Sequence, residues 1–206
     1  MSHEIKNKLT VTLIMTGASG AQYGLRVLEE LVKAGVSINL LVSKAGHIVI
    51  NTETDLKIPG RAKDIQAFFT ERYNAEAGQI KAFEREQWSA PIASGSGVAD
   101  VTVVCPCTTG TLSSVAVGSS KNLIERALDV AIKERKKVIL VVRETPFSDI
   151  HLENMLKLSR MGVVIMPANP GFYHQPSSIN DIVDFMVARI LDHMGVQQKI
   201  LPIWGG

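Results

Sequence analysis

Cysteine is nearly absent from this chain. Only Cys105 and Cys107 occur among 206 residues. They stand either side of Pro106, too close along the chain to pair readily with each other. No second Cys or His cluster completes a zinc site, so a reduced, cytoplasmic protein is the expectation. Charge of one sign is also lacking. A net charge of +2 with scattered Lys and Arg and 5% aromatics gives no basic stripe with stacking rings, which argues against nucleic acid as a partner. No apolar run reaches the roughly 20 residues of a membrane span, and residues 1–8 are polar, without the apolar core of a signal peptide. The five histidines lack metal-ligand spacing. No H-E-x-x-H, paired-carboxylate cluster, Gly-x-Ser-x-Gly elbow or Gly-Lys-Ser/Thr loop is found. The expectation is therefore no protein-ligated metal and no Ser-His-Asp triad.

What is present is an apolar chain (46%) with a fifth of its residues charged, enough for one well-cored α/β domain over 1–206. Strand-like runs fall at about 9–15, 37–42, 79–83, 101–105, 137–142 and 163–166. Helical patterns fall at about 21–34, 44–53, 62–71, 109–117, 122–134, 149–161 and 178–194. Their alternation predicts a parallel sheet covered by helices on both faces. The runs 101–105 and 138–142 are continuously apolar, as strands buried on both faces should be. In such sheets ligands bind at the carboxyl ends of the strands. The loops after residues 15, 42, 104 and 142 should then converge.

The first of these loops, Thr16-Gly17-Ala18-Ser19-Gly20-Ala21, joins a strand to a helix. That order presents backbone N–H groups and a positive helix end, suited to a phosphate or a flavin edge. Glycines at 17, 20 and 24 do not make the dinucleotide fingerprint, and a tight turn alone also explains them. Ser19 and Ser43 at strand ends are equally explained by turn formation. Arg143-Glu144 leaves the strand 137–142, either because the chain meets water there or because Arg143 binds an anion and Glu144 handles a proton. Lys133 closes a helix, where the dipole favours a cation. Arg126 has Glu125 and Asp129 as possible partners, or reaches toward a ligand. Tyr173 lies in a turn-rich loop, where it covers a core edge or hydrogen-bonds a phosphate. Trp204, in Leu201-Pro202-Ile203-Trp204, predicts a tail over about 195–206 that docks on its own core or on a neighbouring subunit.

These pieces in this order resemble the flavin prenyltransferase family, the UbiX/Pad1 type. The resemblance runs from about residue 9 to Trp204. It is carried by residues 16–24, Ser43-Lys44-Ala45, Glu53-Thr54-Asp55, Cys105 to Ser113, Asn122 to Ala127, Asp129 to Arg135, Val142 to Pro146 and Pro170 to Pro176. It implies a flavodoxin-like/Rossmann-like, doubly wound three-layer fold that binds FMN, reduced as co-substrate, without a metal. The implied reaction transfers dimethylallyl from dimethylallyl monophosphate to flavin N5 and C6. The product, prenylated FMN, goes to a UbiD-type decarboxylase, commonly for ubiquinone synthesis. The family builds dodecamers from trimers, with each site assembled from more than one subunit. The resemblance assigns FMN contacts to Gly17, Ala18, Ser19, Ser43, Thr108, Thr109, Gly110, Thr111 and Arg126. It assigns the donor phosphate to Lys133, Arg143, Tyr173 and Arg189, and proton traffic at that phosphate to Glu144. Ser19 and Glu53 would act near flavin N5. Trp88 and Trp204 would face an allylic cation, an attraction of about 0.5–2 kcal/mol per contact.

Two rivals accompany this reading. One is an FMN-dependent aromatic-acid decarboxylase. The flavin-dependent cysteine decarboxylases share the fold but carry a different loop after residue 104 and a catalytic His, which neither His47 nor His151 matches. The other is a non-enzymatic FMN carrier, which has no need of the basic set Lys133, Arg143 and Arg189.

Overall fold

The computed structural model describes residues 8–201. Six strands form one sheet: β1 Thr10–Met15, β2 Ser37–Val42, β3 Ile80–Ala82, β4 Val101–Cys107, β5 Lys137–Val142 and β6 Val164–Ile165. All neighbours pair in parallel, in the order β3-β2-β1-β4-β5-β6. Without the three-residue edge strand β3, the order is the flavodoxin-like 2-1-3-4-5 of a doubly wound sheet. Seven helices cover it: α1 Ala21–Lys33, α2 Lys44–Glu53, α3 Ala62–Arg72, α4 Thr109–Ala116, α5 Leu123–Lys133, α6 Asp149–Arg160 and α7 Ile179–Met194.

Strand side chains alternate between two apolar layers. Val11, Leu13 and Met15 of β1 pack with Leu28 of α1, Phe69 of α3 and Val187 of α7. Ile14 of β1 and Leu140 of β5 pack with Leu112 of α4, Leu128 of α5 and Leu158 of α6. Helix α1 lies close on the sheet because Gly24 has no side chain: a Cβ there would run into the Cys105 carbonyl oxygen.

The expected strand 101–105 extends to Cys107. A register shift between Val104 and Cys107 interrupts its pairing with β5. In a regular strand, residues two apart share a face. Here Cys105 belongs to the first layer and Cys107 to the second, so the thiols stand on opposite sides of the sheet. Both are fully buried. Burial pushes the Cys105 thiol far up and the Cys107 thiol up to about 12. Neither thiol is expected to react with Ellman's reagent at pH 8 until the chain is unfolded. Rapid reaction of the native protein would contradict this packing.

The segment 88–97, which reads as a loop, contains two single 3-10 turns, Pro91–Ala93 and Gly95–Gly97. The expected strands 79–83 and 163–166 pair only over three and two residues. Part of the C-terminal tail is also described. Val196 is buried, and Ile200 and Leu201 pack against the first layer. Trp204 lies outside the described residues. Among the described residues no helix is long and apolar enough to cross a membrane.

Candidate functional site: a cleft at the carboxyl edge of the sheet

At the carboxyl edge, main-chain bonding continues past the strands into the loops. Phe83 N–H donates to the Leu40 carbonyl (3.1 Å), Ser43 to Met15 (3.0 Å), Thr16 to Pro106 (3.2 Å), Arg143 to Cys107 (3.2 Å) and Ala168 to Val142 (2.9 Å). The loops after β1, β2, β4, β5 and β6 are thus held side by side. Thr16, 3% exposed, tightens the central junction. Its hydroxyl donates to the Pro106 carbonyl (2.7 Å) and accepts from the Thr108 N–H (2.9 Å).

A cleft of about 340 Å³ opens beside this junction. Thr16 and Gly17 line it from the β1 loop, and Ser43, Lys44 and Ala45 from the start of α2. Thr108, Gly110 and Thr111 line it from the start of α4, Asn122, Ile124 and Glu125 from the start of α5, and Arg85 from the loop after β3. Gly17 is required by close approach, since a Cβ there would strike the Ala45 side chain. Each contributing helix starts at a side-chain cap. Ser43 Oγ accepts from Gly46 N–H (2.9 Å), Thr108 Oγ1 from Thr111 N–H (3.0 Å) and Asn122 Oδ1 from Glu125 N–H (3.1 Å). The positive ends of three helices therefore converge on one concavity between β1 and β4, where the strand order reverses. That is the chemistry of a phosphate site.

Helix α1 begins differently. Its N-cap, Gly20, has φ +104° and no side chain. Glu53, the last residue of α2, supplies the missing carboxylate, and its Oε2 accepts from Gly20 N–H (2.8 Å) and Ala21 N–H (3.0 Å). Burial pushes the Glu53 carboxyl up, but the Ser19 hydroxyl, these two amides and the charge of Arg143 outweigh it. They hold the carboxyl below the usual carboxylate range. A group depressed in the folded state stabilises fully above its unfolded pKa, and that stability is lost as pH falls through the folded value. Glu53→Gln is therefore expected to cost about 1 kcal/mol at neutral pH. It should also lose less of its stability than the parent below about pH 4.3. Thermal midpoints measured from pH 7 to pH 3 check this, and parallel curves would refute it.

The remaining residues singled out in the sequence divide into two groups. Arg143 and Glu144 leave β5 at the carboxyl edge, Trp88 stands on the loop after β3, and Tyr173 on the loop after β6. Trp88 and Tyr173 are about half exposed. Ala18 and Ser19 follow Gly17, and Thr109 opens α4. Arg126 sits one turn into α5, where its Nε donates to the Ala93 carbonyl (3.0 Å) and its Nη1 pairs with Asp129 (2.9 Å). Lys133 and Arg189 stand on the later turns of α5 and α7. Lys133 ends α5 and pairs with Glu134, four residues before β5 begins. Arg189 pairs with Asp192 (3.1 Å), next to His193, whose carbonyl accepts from Lys137 Nζ at the start of β5. Lys133 therefore lies toward the amino edge, away from Arg143, whereas Arg189 stands one helical turn after Phe185, whose ring Tyr173 meets edge-on at 5.5 Å. Within one chain Arg189 thus stands beside the Tyr173 loop, and Lys133 is the one set apart from Arg143. The cleft also uses Arg85 and Ser114, which the sequence pattern does not single out, and Thr16, which it names only as the first residue of the glycine loop. Only the position of Thr16 at the end of β1 hints at such a role.

A doubly wound parallel sheet with helix N-termini gathered at its switch point defines a protein of the nucleotide- and flavin-binding α/β class. The chain belongs to the Flavoprotein family, whose model matches residues 1–191, and within it to the flavin prenyltransferases. It is 58% identical over 195 residues to flavin prenyltransferase UbiX of Pseudomonas aeruginosa, covering 95% of this chain and 93% of that protein. A solved UbiX (PadA1) in complex with FMN and dimethylallyl pyrophosphate is 36% identical, with a TM-score of 0.86 over 97% of this chain and 99% of that one. A dodecameric FMN-dependent UbiX-like decarboxylase from Escherichia coli O157:H7 is 38% identical, with a TM-score of 0.83 over 96% of this chain and all of that one.

Proposed function

We infer that this protein is a flavin prenyltransferase that binds FMN in the cleft between β1 and β4. The observation that carries the reading is the convergence of three helix N-termini and the Gly17 loop on that cleft, in a chain more than half identical to a flavin prenyltransferase. The donor set suits FMN, because capped helix starts and threonine hydroxyls hold a phosphate without a metal. Gly17, Ala18, Ser19, Ser43, Arg126 and residues 108–111 would make this seat. Reduced FMN supplies the nucleophilic N5 and C6 that take the dimethylallyl group.

The chain's own residues would do the rest. Arg143 and Tyr173 hold the donor phosphate and neutralise the charge that grows as the C–O bond breaks, where preorganised donors act most strongly. Glu144 moves a proton at that phosphate. Ser19 and the Glu53 carboxylate stand at the mouth of the glycine loop to receive the N5 proton. Trp88 would help keep water from the allylic cation, a role the resemblance also gives Trp204, which lies outside the described residues. Arg189 would join Tyr173 from the same chain, one turn of α7 after Phe185, and Lys133 would reach the donor phosphate from another copy, so each site would be shared between subunits. The dodecameric assembly of the Escherichia coli relative supports that reading. We place the protein in the cytoplasm, as one flavoprotein domain whose 195–206 tail docks on the core or a neighbour. It would pass prenylated FMN to a UbiD-type decarboxylase, with ubiquinone synthesis as the pathway.

The test is anaerobic incubation of purified protein with reduced FMN and dimethylallyl monophosphate, followed by mass spectrometry of the released flavin. A gain of one C5H8 unit is expected, and unchanged flavin mass from FMN-loaded oligomer would overturn the reading. A parallel arm with the pyrophosphate shows whether that donor serves as well, as the ligand of the solved PadA1 complex suggests. A second reading, aromatic-acid decarboxylation, is favoured by the likeness to the FMN-dependent UbiX-like decarboxylase of Escherichia coli. It predicts carbon dioxide release from a 4-hydroxybenzoate-type acid without a prenyl donor.

A further inference from the structure

The loop between β6 and α7 is fastened at both ends. Ala168 N–H donates to the Val142 carbonyl (2.9 Å) at its start, and the Ser178–Asp181 capping box closes its end. In its middle, over 170–176, the main chain makes one bond within the loop, from Gln175 N–H to the Phe172 carbonyl (3.0 Å). Rings do the fastening there. His174 stacks on Phe185 of α7 with centroids 5.2 Å apart and planes 12° from parallel. Tyr173 meets Phe185 edge-on at 5.5 Å and His174 edge-on at 6.0 Å. Gly171 lets the backbone lie against this cluster, since a Cβ there would come within 2.8 Å of the Tyr173 ring and 3.0 Å of Phe185. Phe185 itself is buried in the first apolar layer.

His174 is the unusual member. Both ring nitrogens are shut away from solvent, and neither has a hydrogen-bond partner among the described residues. Burying unpaired polar atoms is unfavourable, so what this ring contributes here is its flat face. That face lies on Phe185, while the adjacent residue, Tyr173, stays more than half exposed. A ring stacked on a core residue thus fixes the backbone that carries an outward-facing phenol.

We propose that His174 is a positioning residue for donor binding: stacked on Phe185, it pins the 170–176 loop to α7 and sets where the Tyr173 phenol stands. The proposal rests on the reading of Tyr173 as a contact to the donor phosphate. It belongs to the face of the imidazole and not to its nitrogens, which separates it from an acid–base role.

The test compares His174→Ala, His174→Phe and Tyr173→Phe in the FMN-loaded protein. KM for dimethylallyl monophosphate and kcat are read with reduced FMN, and amide exchange over 170–176 is followed by mass spectrometry. His174→Ala is expected to speed exchange of that segment at least about tenfold and to raise KM by a similar factor, with kcat within about threefold. His174→Phe keeps a ring on Phe185 and is expected to stay near the parent in all three readouts. Loss in His174→Phe equal to that in His174→Ala would overturn the proposal, because the nitrogens would then be the active part. Unchanged exchange in His174→Ala would overturn it as well. Raised KM in Tyr173→Phe with unchanged KM in His174→Ala would overturn the proposal alone. Unchanged KM in both would remove the donor role of Tyr173, and the proposal with it.

Discussion

Glu144→Gln is expected to bind FMN as the parent does and to lose prenyl transfer by at least about a hundredfold. The substitution preserves size and leaves the backbone where it is, because Arg143 N–H remains bonded to the Cys107 carbonyl (3.2 Å). Among the described residues the Glu144 carboxylate accepts only from the neighbouring Thr145 N–H (3.0 Å), a bond that the Gln side-chain oxygen can also take. Among the described residues no helix cap or ion pair depends on it. What the amide cannot do is exchange a proton with a departing phosphate. A hundredfold loss corresponds to about 2.7 kcal/mol of transition-state stabilisation. Flavin absorbance of the purified variant reads binding, and anaerobic turnover with mass detection of the product reads transfer. A variant with full turnover would remove Glu144 from the chemistry. A variant without flavin would instead make it part of the seat.

The second large effect is expected at Thr16. Thr16→Val keeps the shape of the side chain and removes its hydroxyl. The Pro106 carbonyl still accepts from the Thr16 N–H, but the Thr108 N–H loses the acceptor it has at 2.9 Å. Thr108 caps α4 and lines the cleft. An amide left unpaired there costs about 1–3 kcal/mol. Denaturant midpoints should fall by a corresponding amount. FMN affinity should fall too, because the start of α4 is no longer fixed to the end of β1. Unchanged stability together with unchanged FMN affinity would show that the junction is not held as described.

Much of this molecule is legible in its sequence because its elements carry strong periodic signals. The runs Val11 to Met15 and Val138 to Val142 are mostly apolar and are buried on both faces. Helix α1 shows its buried stripe at Leu25, Leu28, Leu31 and Val32. Strand β4 is harder to read because a proline ordinarily ends a central strand. The chain instead continues through Pro106 by a register shift that no local pattern announces. The capping role of Glu53 is hidden for a different reason. Its partners are Gly20 and Ala21, more than thirty residues away in sequence. A carboxylate that caps a helix from another helix leaves no trace in either segment alone. The separation of Lys133 from Arg143 is likewise invisible along the chain. Basic residues read there as one set, while the winding of α5 carries Lys133 to the amino edge of the sheet and α7 keeps Arg189 one turn from Phe185.

The main-chain bonds that run from loop to loop along the carboxyl edge also bear on how this protein can vary. Each of those donors is an amide that nearly every substitution leaves intact. Apart from Thr16, whose hydroxyl holds Thr108, an alanine scan of the rim would change what fits against it while leaving the loops moored to one another. Side-chain variation there can accumulate without the loops drifting apart, and a library built on these positions would sample ligand shape at nearly constant architecture. Proline alone deletes a main-chain donor. At positions 143 and 168 the mooring of the loops should therefore be lost only to proline, whereas at 16 and 43 the side-chain hydroxyl also holds the junction or caps α2.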